Sequence, residues 1–490
     1  MSDHADGYGR TQAEIESARV RFRRALSLMV MTLVAPGSAQ LVAGNKRVGR
    51  LALRIWATLW GLALLLVLLG LLDRGIVITL LTSPGILWVL RFGLIALALG
   101  WVALFADAWR LGSPLRLERG HRLALSGVSG VLCFVTAGLL FVASNLMAVQ
   151  QDFITTVFGS SVVHEAEQGR YNVLLLGGDS GKGREGLRPD SLTVASIDAE
   201  TGDTVLVGLP RNLADVPFPE DFPMHEEFPD GFDCEGCYLN SVNTWADDHP
   251  ELFGGKGHEG IAATQAAVEE VTGLQISYHV LINMKGFASL VDAVGGVKVR
   301  VRQRTAIGGI GSPITGWIPK GRQVLDGREA LWYARSRVQN SDYSRMARQK
   351  CVMNAMLQQL DPNTVLLKAT GIAESSKKML STDIPAGELD TFVDLALKAR
   401  EAKVSTVSLV PPKIDTGDPD FDKIRKMVAK AVERSEKGDE KSAGAKPSGG
   451  ATSAATAKSG GSAEGSTGGG DPDKERAARV NESEDLSSAC

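Results

Sequence analysis

The 490-residue chain carries almost no net charge, formally -3 at pH 7, which excludes a strong whole-chain preference for nucleic acid. Its seven histidines fall at no spacing that completes a metal site, and the CxxC pair Cys234 and Cys237 has no second CxxC to close a zinc cage. No repeat of solenoid period runs through it. The N-terminal segment lacks the n-region, h-region and small-residue cleavage site of a cleavable signal peptide, so it is expected to stay as an anchor. A nucleotide-binding phosphate loop is missing as well. GGDSGKG looks like one, but its first glycine would have to stand at Leu176, and Gly183 follows Lys182 where Ser or Thr should hold a metal.

Cysteine is scarce, with five in the chain. Cys133 lies in an apolar run and Cys490 ends the sequence, leaving Cys234, Cys237 and Cys351 for the folded part. Outside the cytoplasm three thiols imply one disulfide and one leftover. The favoured pair is Cys234 with Cys237, and pairing of either with Cys351 stays open.

What the chain does have, in its first third, is long apolar runs. Residues 55–72, 87–106 and 124–147 are each long enough to cross a bilayer as a helix. A fourth run, 26–43, is interrupted by Pro36, Gly37, Ser38 and Gln40. Arg19, Arg21, Arg23 and Arg24 precede it and Lys46, Arg47, Arg50 and Arg54 follow it. The positive-inside rule puts both flanks in the cytoplasm, so this run reads as re-entrant or interfacial. The loop after the first span carries one arginine, Arg74, and the next carries Arg110, Arg116, Arg119 and Arg122, an alternation of outside then inside. The expected organisation is a cytoplasmic N-terminus (1–25), a multi-pass cell-membrane anchor (26–147), a linker (148–170), an extracellular domain (171–434) and a disordered Gly/Ser/Ala-rich tail (435–490), whose composition cannot bury enough apolar surface to order itself. If residues 26–43 spanned, the count would be even and the domain cytoplasmic, against both charge clusters.

Within the domain, residues 171–176 read as a buried strand running into the Gly177-Gly178 turn. Residues 191–197 and 204–209 read as a hairpin turning at Gly202, and further strands fall at 278–284, 297–303 and 404–410. Helices are expected at 259–272, 286–294, 326–333, 343–360 and 387–402. Interleaved strands and helices with a hairpin define an α/β class with a mixed sheet flanked by helices, preceded by an α-helical transmembrane anchor.

The chemistry is concentrated in seven arginines and two aspartates within two short stretches. Asp179 and Asp190 sit at two strand ends. If those strands are neighbours, the like charges meet at one rim and call for a proton or a hard cation between them, for which magnesium, or manganese in its place, is the natural occupant. Arg184, Arg188, Arg211, Arg335, Arg337, Arg345 and Arg348 supply guanidinium forks matched to phosphate oxygens. Asp342, Arg345, Arg348 and Gln349 share one helical face. The bland alternative is a solvated face with Asp342 as N-cap, paired with Arg345.

The blocks LLLGGDSG, LRPDSLTVASID, VLVGLPRN, MKGFASLVDAVGGVKVRV, LDGREALWYARSR and SDYSRMARQ, spanning residues 171–412, resemble the LytR-CpsA-Psr family of bacterial cell-envelope proteins. The resemblance implies a membrane-anchored α/β transferase (a phosphotransferase) that moves a glycopolymer from a polyprenyl-pyrophosphate carrier to the C6 hydroxyl of muramic acid in peptidoglycan, releasing polyprenyl phosphate. It implies Asp179 and Asp190 as metal ligands and Arg188, Arg211, Arg335, Arg337, Arg345, Arg348 and Gln349 as pyrophosphate ligands, with Arg211, Arg345 and Arg348 in the catalytic role. Two departures stand out. Ser180, Gly181 and Lys182 follow the first aspartate where many members place arginine, so Arg184 is the substitute, and Asn212 stands where many have aspartate. The longer GGDSGKGREGLRPDS form and the multi-span anchor look like actinobacterial members, with arabinogalactan or a teichoic-type chain as the polymer. The implied partners are the lipid-linked glycopolymer, peptidoglycan and the bilayer. The rival readings are a non-catalytic envelope sensor and a pyrophosphatase acting on the same lipid.

Overall fold

The computed structural model describes residues 12–72, 76–77, 80, 83–158, 163–178, 188–255, 259–309, 312–338, 342–359 and 380–443. The chain divides at Thr155 into two compact units.

The first unit is helical: α1 (Gln12–Val34), α2 (Ser38–Ala43), α3 (Lys46–Leu72), α4 (Pro84–Leu111) and α5 (Arg119–Val157). Three of these, α3, α4 and α5, are long and apolar enough to cross a membrane. Their large apolar side chains point outward, among them Leu64, Leu68, Leu139 and Phe141, as lipid-facing helices require. Residues 26–43 are not one helix. The chain breaks after Val34 at Pro36-Gly37, where Gly37 has φ +94° and a Cβ would lie 2.6 Å from the Gly49 carbonyl oxygen. Only glycine fits there. Helix α5 continues to Val157, into residues read as linker, because no glycine or proline interrupts the chain before Gly159.

The second unit is built on a six-stranded mixed sheet. Its strands are β1 (Arg170–Gly178), β2 (Pro189–Asp198), β3 (Thr204–Leu209), β4 (Tyr278–Asn283), β9 (Leu380–Thr382) and β10 (Val404–Ser408), in the order β10-β3-β2-β1-β4-β9. β1 is antiparallel to β2 and parallel to β4. The β2–β3 hairpin turns where Asp198 accepts hydrogen bonds from the Glu200 and Thr201 amides, and Gly202 follows at φ +80°.

Alternation along each strand sorts the side chains between two faces. Leu174, Leu176, Leu192, Val194, Val205 and Val207 enter the main core, while Leu175, Ala195 and Leu206 face the other way. Helices α8 (Glu259–Thr272) and α13 (Phe421–Ala443) cover the main-core face through Ala263, Ala267, Val271, Ile424 and Val428. The same core takes in α6 (Pro223–Glu227), α7 (Val242–Asp248) and the irregular chain around them, where Phe218, Phe228, Phe232 and Trp245 pack edge to face. The proline-rich run from Pro217 to Pro229 has no period, so the one helix within it, α6, is invisible in the sequence. Helix α13 continues to Ala443, beyond the expected start of the tail at residue 435, because glutamate, lysine and alanine keep good helix propensity there.

On the opposite side lie α9 (Met284–Ala293), α10 (Gly327–Arg335), α11 (Asp342–Gln359) and α12 (Leu389–Glu401). A small antiparallel pair, β5 (Val297–Val301) with β8 (Gly321–Leu325), packs against α9, α10 and α11 in a separate core. A second pair joins β6 (Thr305–Ile307) to β7 (Gly316–Ile318). Cys234 and Cys237 form a disulfide with Cα atoms 5.0 Å apart. Cys351, buried in α11, is also disulfide-bonded, which corrects the expected leftover thiol; that expectation counted only the three cysteines of the domain.

Candidate active site

The register of the sheet assembles one rim. Gly178, the last residue of β1, pairs with Pro189 at the start of β2 and with Asn283 at the end of β4. Asp190 and Asn283 therefore flank the carboxyl end of β1, where open α/β sheets bind ligands. Asp179, the next residue after β1, and Arg184 lie outside the described residues.

A cavity of about 440 Å3 opens at this rim, between the sheet and α9, α10 and α11. Its inner wall is apolar: Val280 and Ile282 of β4, Phe287 and Leu290 of α9, Leu331 of α10, and Val352, Met353 and Met356 of α11. Asp190, Arg211, Arg335, Arg337, Arg345 and Gln349 gather the polar lining. An apolar body with a few convergent polar groups is the ordinary form of a ligand site. Here the polar groups are mostly cationic, which suits an amphiphile with an anionic head.

Each arginine is held by a different device. Arg211 follows β3, its carbonyl accepts from the Asn240 amide at 3.0 Å, and its guanidinium pairs with the Asp190 carboxylate. Arg345 comes from the first turns of α11, is 4% exposed, and donates from Nη1 to the Asp190 carbonyl at 2.7 Å. Arg335 ends α10, with its guanidinium 5.0 Å from the Trp332 ring centroid and Nη1 2.7 Å from the Met284 sulfur. Arg337 follows, half-buried in the cavity wall.

Arg348 is placed differently. Its Nε donates to the Tyr333 carbonyl at 2.7 Å and its Nη2 donates to the Ser336 carbonyl, so it braces the end of α10 and does not line the cavity. Burial lowers its pKa to about 10, with Arg345 adding to the shift and Tyr333 opposing it, which still leaves it cationic at neutral pH. The structure does not bring Arg188 to the cavity either; it is exposed just ahead of β2. The side chain of Asp342 falls outside the described residues. Asn212 donates to Thr416 Oγ1 at 3.2 Å.

Several lining groups are absent from the sequence reading. Asn283 accepts from the Gly286 amide as N-cap of α9 and stands on the rim beside β1. Val352, Met353 and Met356 continue the face of Arg345 and Gln349 at helical spacing, a signal that was present but overshadowed by the charges.

Among the described residues no three His, Cys, Asp or Glu side chains gather in one place. An all-protein metal cage is therefore not built from them. Asp190 is nonetheless a hard oxygen donor at the cavity mouth, which fits a cation that takes its remaining ligands from a bound phosphate.

These features define an α/β domain, preceded by helices long and apolar enough to cross a membrane, with a cavity that joins an apolar wall to a cationic rim. The chain belongs to the LytR_cpsA_psr family, which it matches over residues 150–429. Among relatives, it is 29% identical over 231 residues to the polyisoprenyl-teichoic acid--peptidoglycan teichoic acid transferase TagU of Oceanobacillus iheyensis, covering 46% of this chain and 63% of that protein. It is 30% identical over 238 residues to TagU of Enterococcus faecalis, with 47% and 66% covered. It is 24% identical over 329 residues to the cell wall biosynthesis protein LcpA of Corynebacterium glutamicum, with 61% and 62% covered. The chain thus spans less than two thirds of the length of these relatives. Among solved structures, B. subtilis TagV aligns with a TM-score of 0.39 at 23% identity, covering 55% of this chain and 98% of that one. A structure of TagT bound to LIIa-WTA aligns with a TM-score of 0.39 at 21% identity, covering 56% and 95%.

Proposed function

We propose that this protein transfers a glycopolymer from a polyprenyl-pyrophosphate carrier onto peptidoglycan at the outer face of the cell membrane. The observation that carries this reading is the cavity itself: an apolar interior sized for part of an isoprenoid chain, with Arg211, Arg335, Arg337, Arg345 and Asp190 at its polar end. The teichoic acid transferases among its relatives support the same class of reaction.

In this reading the prenyl tail lies along Phe287, Leu290, Val352 and Met356, and the guanidiniums of Arg211, Arg335, Arg337 and Arg345 hold the pyrophosphate. The acceptor hydroxyl of a muramic acid, at C6, attacks the phosphorus that bears the polymer. A new oxygen–phosphorus bond forms, the bond to the bridging oxygen breaks, polyprenyl phosphate leaves, and the hydroxyl proton passes to solvent. The arginines stabilise the charge that builds on the bridging and leaving oxygens, which is the dominant catalytic term in phosphoryl transfer. Arg211 also positions Asp190 through their ion pair. Asp179 and Asp190 would hold magnesium, which when bound supplies charge neutralisation at the pyrophosphate.

Incubating the full-length protein with a labelled polyprenyl-pyrophosphate glycan and peptidoglycan tests this. The expected products are polymer joined to peptidoglycan by a phosphodiester and free polyprenyl phosphate. Free sugar phosphate in place of the joined product would make the protein a pyrophosphatase, and binding without turnover would make it a sensor.

A further inference from the structure

Outside the cavity lining, β5 and β8 present a second cationic feature. Along β5 the residues alternate, with Val297, Val299 and Val301 buried and Lys298 and Arg300 exposed. The register places Arg300 directly opposite Arg322 and Lys298 opposite Val324, so two guanidiniums share the outward face of one antiparallel pair. Like charges placed opposite each other destabilise a sheet. Lys320 and Arg302 extend the exposed charge at the ends of the strands. Nearby, Arg304 lies 4.4 Å from the centroid of the half-exposed Trp317 ring. Among the described residues no ion pair joins Lys298, Arg300, Lys320 or Arg322 to an acid.

We infer that the outward face of β5 and β8 binds the anionic backbone of a linear polymer, with Arg300 and Arg322 as its central contacts. The inference rests on the proposed transfer reaction and adds that the polymer carries phosphate or carboxylate groups. Successive outward positions on a strand lie about 6.7 Å apart, so Lys298 and Arg300 form a ladder suited to a chain with one negative charge per repeat. The paired guanidiniums offer forks to successive phosphodiesters.

The ladder is coupled to the site. β8 runs through the Asp326 capping box straight into α10, whose nine residues span about 13 Å before Arg335 enters the cavity. Arg302, just beyond β5, acts electrostatically on Tyr333, the residue whose carbonyl anchors Arg348. A polymer leaving the phosphorus at the cavity mouth thus has this face within a few repeats. Trp317 and Val324 are exposed beside these cations, so a bilayer headgroup layer is the rival occupant that the test must separate from the polymer.

The test uses the full-length protein in phosphatidylcholine nanodiscs, with fluorescently labelled poly(glycerol phosphate) as probe and neutral dextran as control. Anisotropy titrations over a range of salt should show salt-dependent binding of the first polymer and none of the second. The double variant R300Q/R322Q should bind at least about tenfold more weakly, with a salt slope smaller by roughly 1.4, the value for two lost phosphate contacts on a flexible chain. Its thermal stability should match or exceed that of the parent, since the like-charge pair is gone. Asp190→Ala, impaired in transfer, should keep polymer binding, so a failure of the transfer chemistry would leave this result intact. Undiminished binding by the double variant, or equal affinity for dextran, would overturn the inference. So would binding of the parent to phosphatidylglycerol vesicles that R300Q/R322Q abolishes while its polymer binding stays unchanged, which would assign the face to lipid.

Discussion

At the scale of single residues, similar side chains in one helix have separate tasks. Arg345 reaches the cavity, and Arg348, a turn further along, braces two backbone carbonyls. Arg345→Ala should reduce transfer by about 2 to 4 kcal/mol of transition-state stabilisation, comparable with removing one preorganised donor. Arg345→Lys should rescue little, because an ammonium cannot reproduce the planar fork. Arg348→Ala should instead lower stability by about 1 to 3 kcal/mol, since it strips the donors from the Tyr333 and Ser336 carbonyls. Steady-state transfer kinetics paired with thermal melts separate the two. Spacing alone grouped these arginines on one face, but it carries no information on where the carbonyls at the end of α10 come to lie.

Lys350, their neighbour, makes a pH-dependent prediction. Its ammonium reaches from α11 to β10, donating to Thr406 Oγ1 at 3.2 Å, and burial, reinforced by Lys413, lowers its pKa to about 8. The unfolded chain holds that proton up to the ordinary lysine value, so between about pH 8 and pH 10.5 the unfolded state binds more protons and stability rises with pH. The gain is on the order of 3 kcal/mol when complete. Lys350→Met should flatten this rise relative to the parent in denaturation curves taken at stepped pH. An identical rise in both proteins would show that Lys350 is charged without penalty in the fold.

At the scale of elements, the site depends on how α9 and α10 meet. A Cβ on Gly327 would lie 2.0 Å from the Ala288 carbonyl oxygen, so the first residue of α10 must be glycine for the helices to approach. Gly327→Ala should cost about 1 to 3 kcal/mol of stability by forcing the two apart. It should also raise KM for the lipid substrate more than it lowers kcat, because Phe287 and Leu331 line the cavity from those helices. Much of this layer was legible: hydrophobic periods and glycine stops located α8 to α12 within a few residues, and the hairpin turn was read from Gly202. Some of what escaped was aperiodic, as in the proline-rich aromatic segment, and some was carried by an order of strands that no local pattern states. The pairing of β1 with β4 brings Asn283 to the rim across about a hundred residues, and only the folded sheet reveals it. Helix α13 escaped for another reason: Ile424, Val428 and Ala431 lie on one face, but the charged residues between them resemble the tail that follows.

At the scale of the whole molecule, the proposed placement of the domain outside the cell rests on the cationic clusters at Arg19 to Arg24, Lys46 to Arg54 and Arg110 to Arg122. A cysteine introduced beside Gly202 should be labelled by an impermeant maleimide on intact cells, and one beside Lys46 should be protected. The reverse pattern would put the domain in the cytoplasm, away from peptidoglycan. The central claim, that the arginine-lined cavity carries out polymer transfer, is tested most directly by Asp190→Ala. The variant removes the carboxylate that pairs with Arg211 at the cavity mouth. Release of polyprenyl phosphate from a synthetic lipid-linked glycan, in the presence of peptidoglycan and magnesium, should fall at least about a hundredfold in folded variant protein, the scale of losing one preorganised electrostatic contact. Undiminished release from folded Asp190→Ala protein would contradict the account.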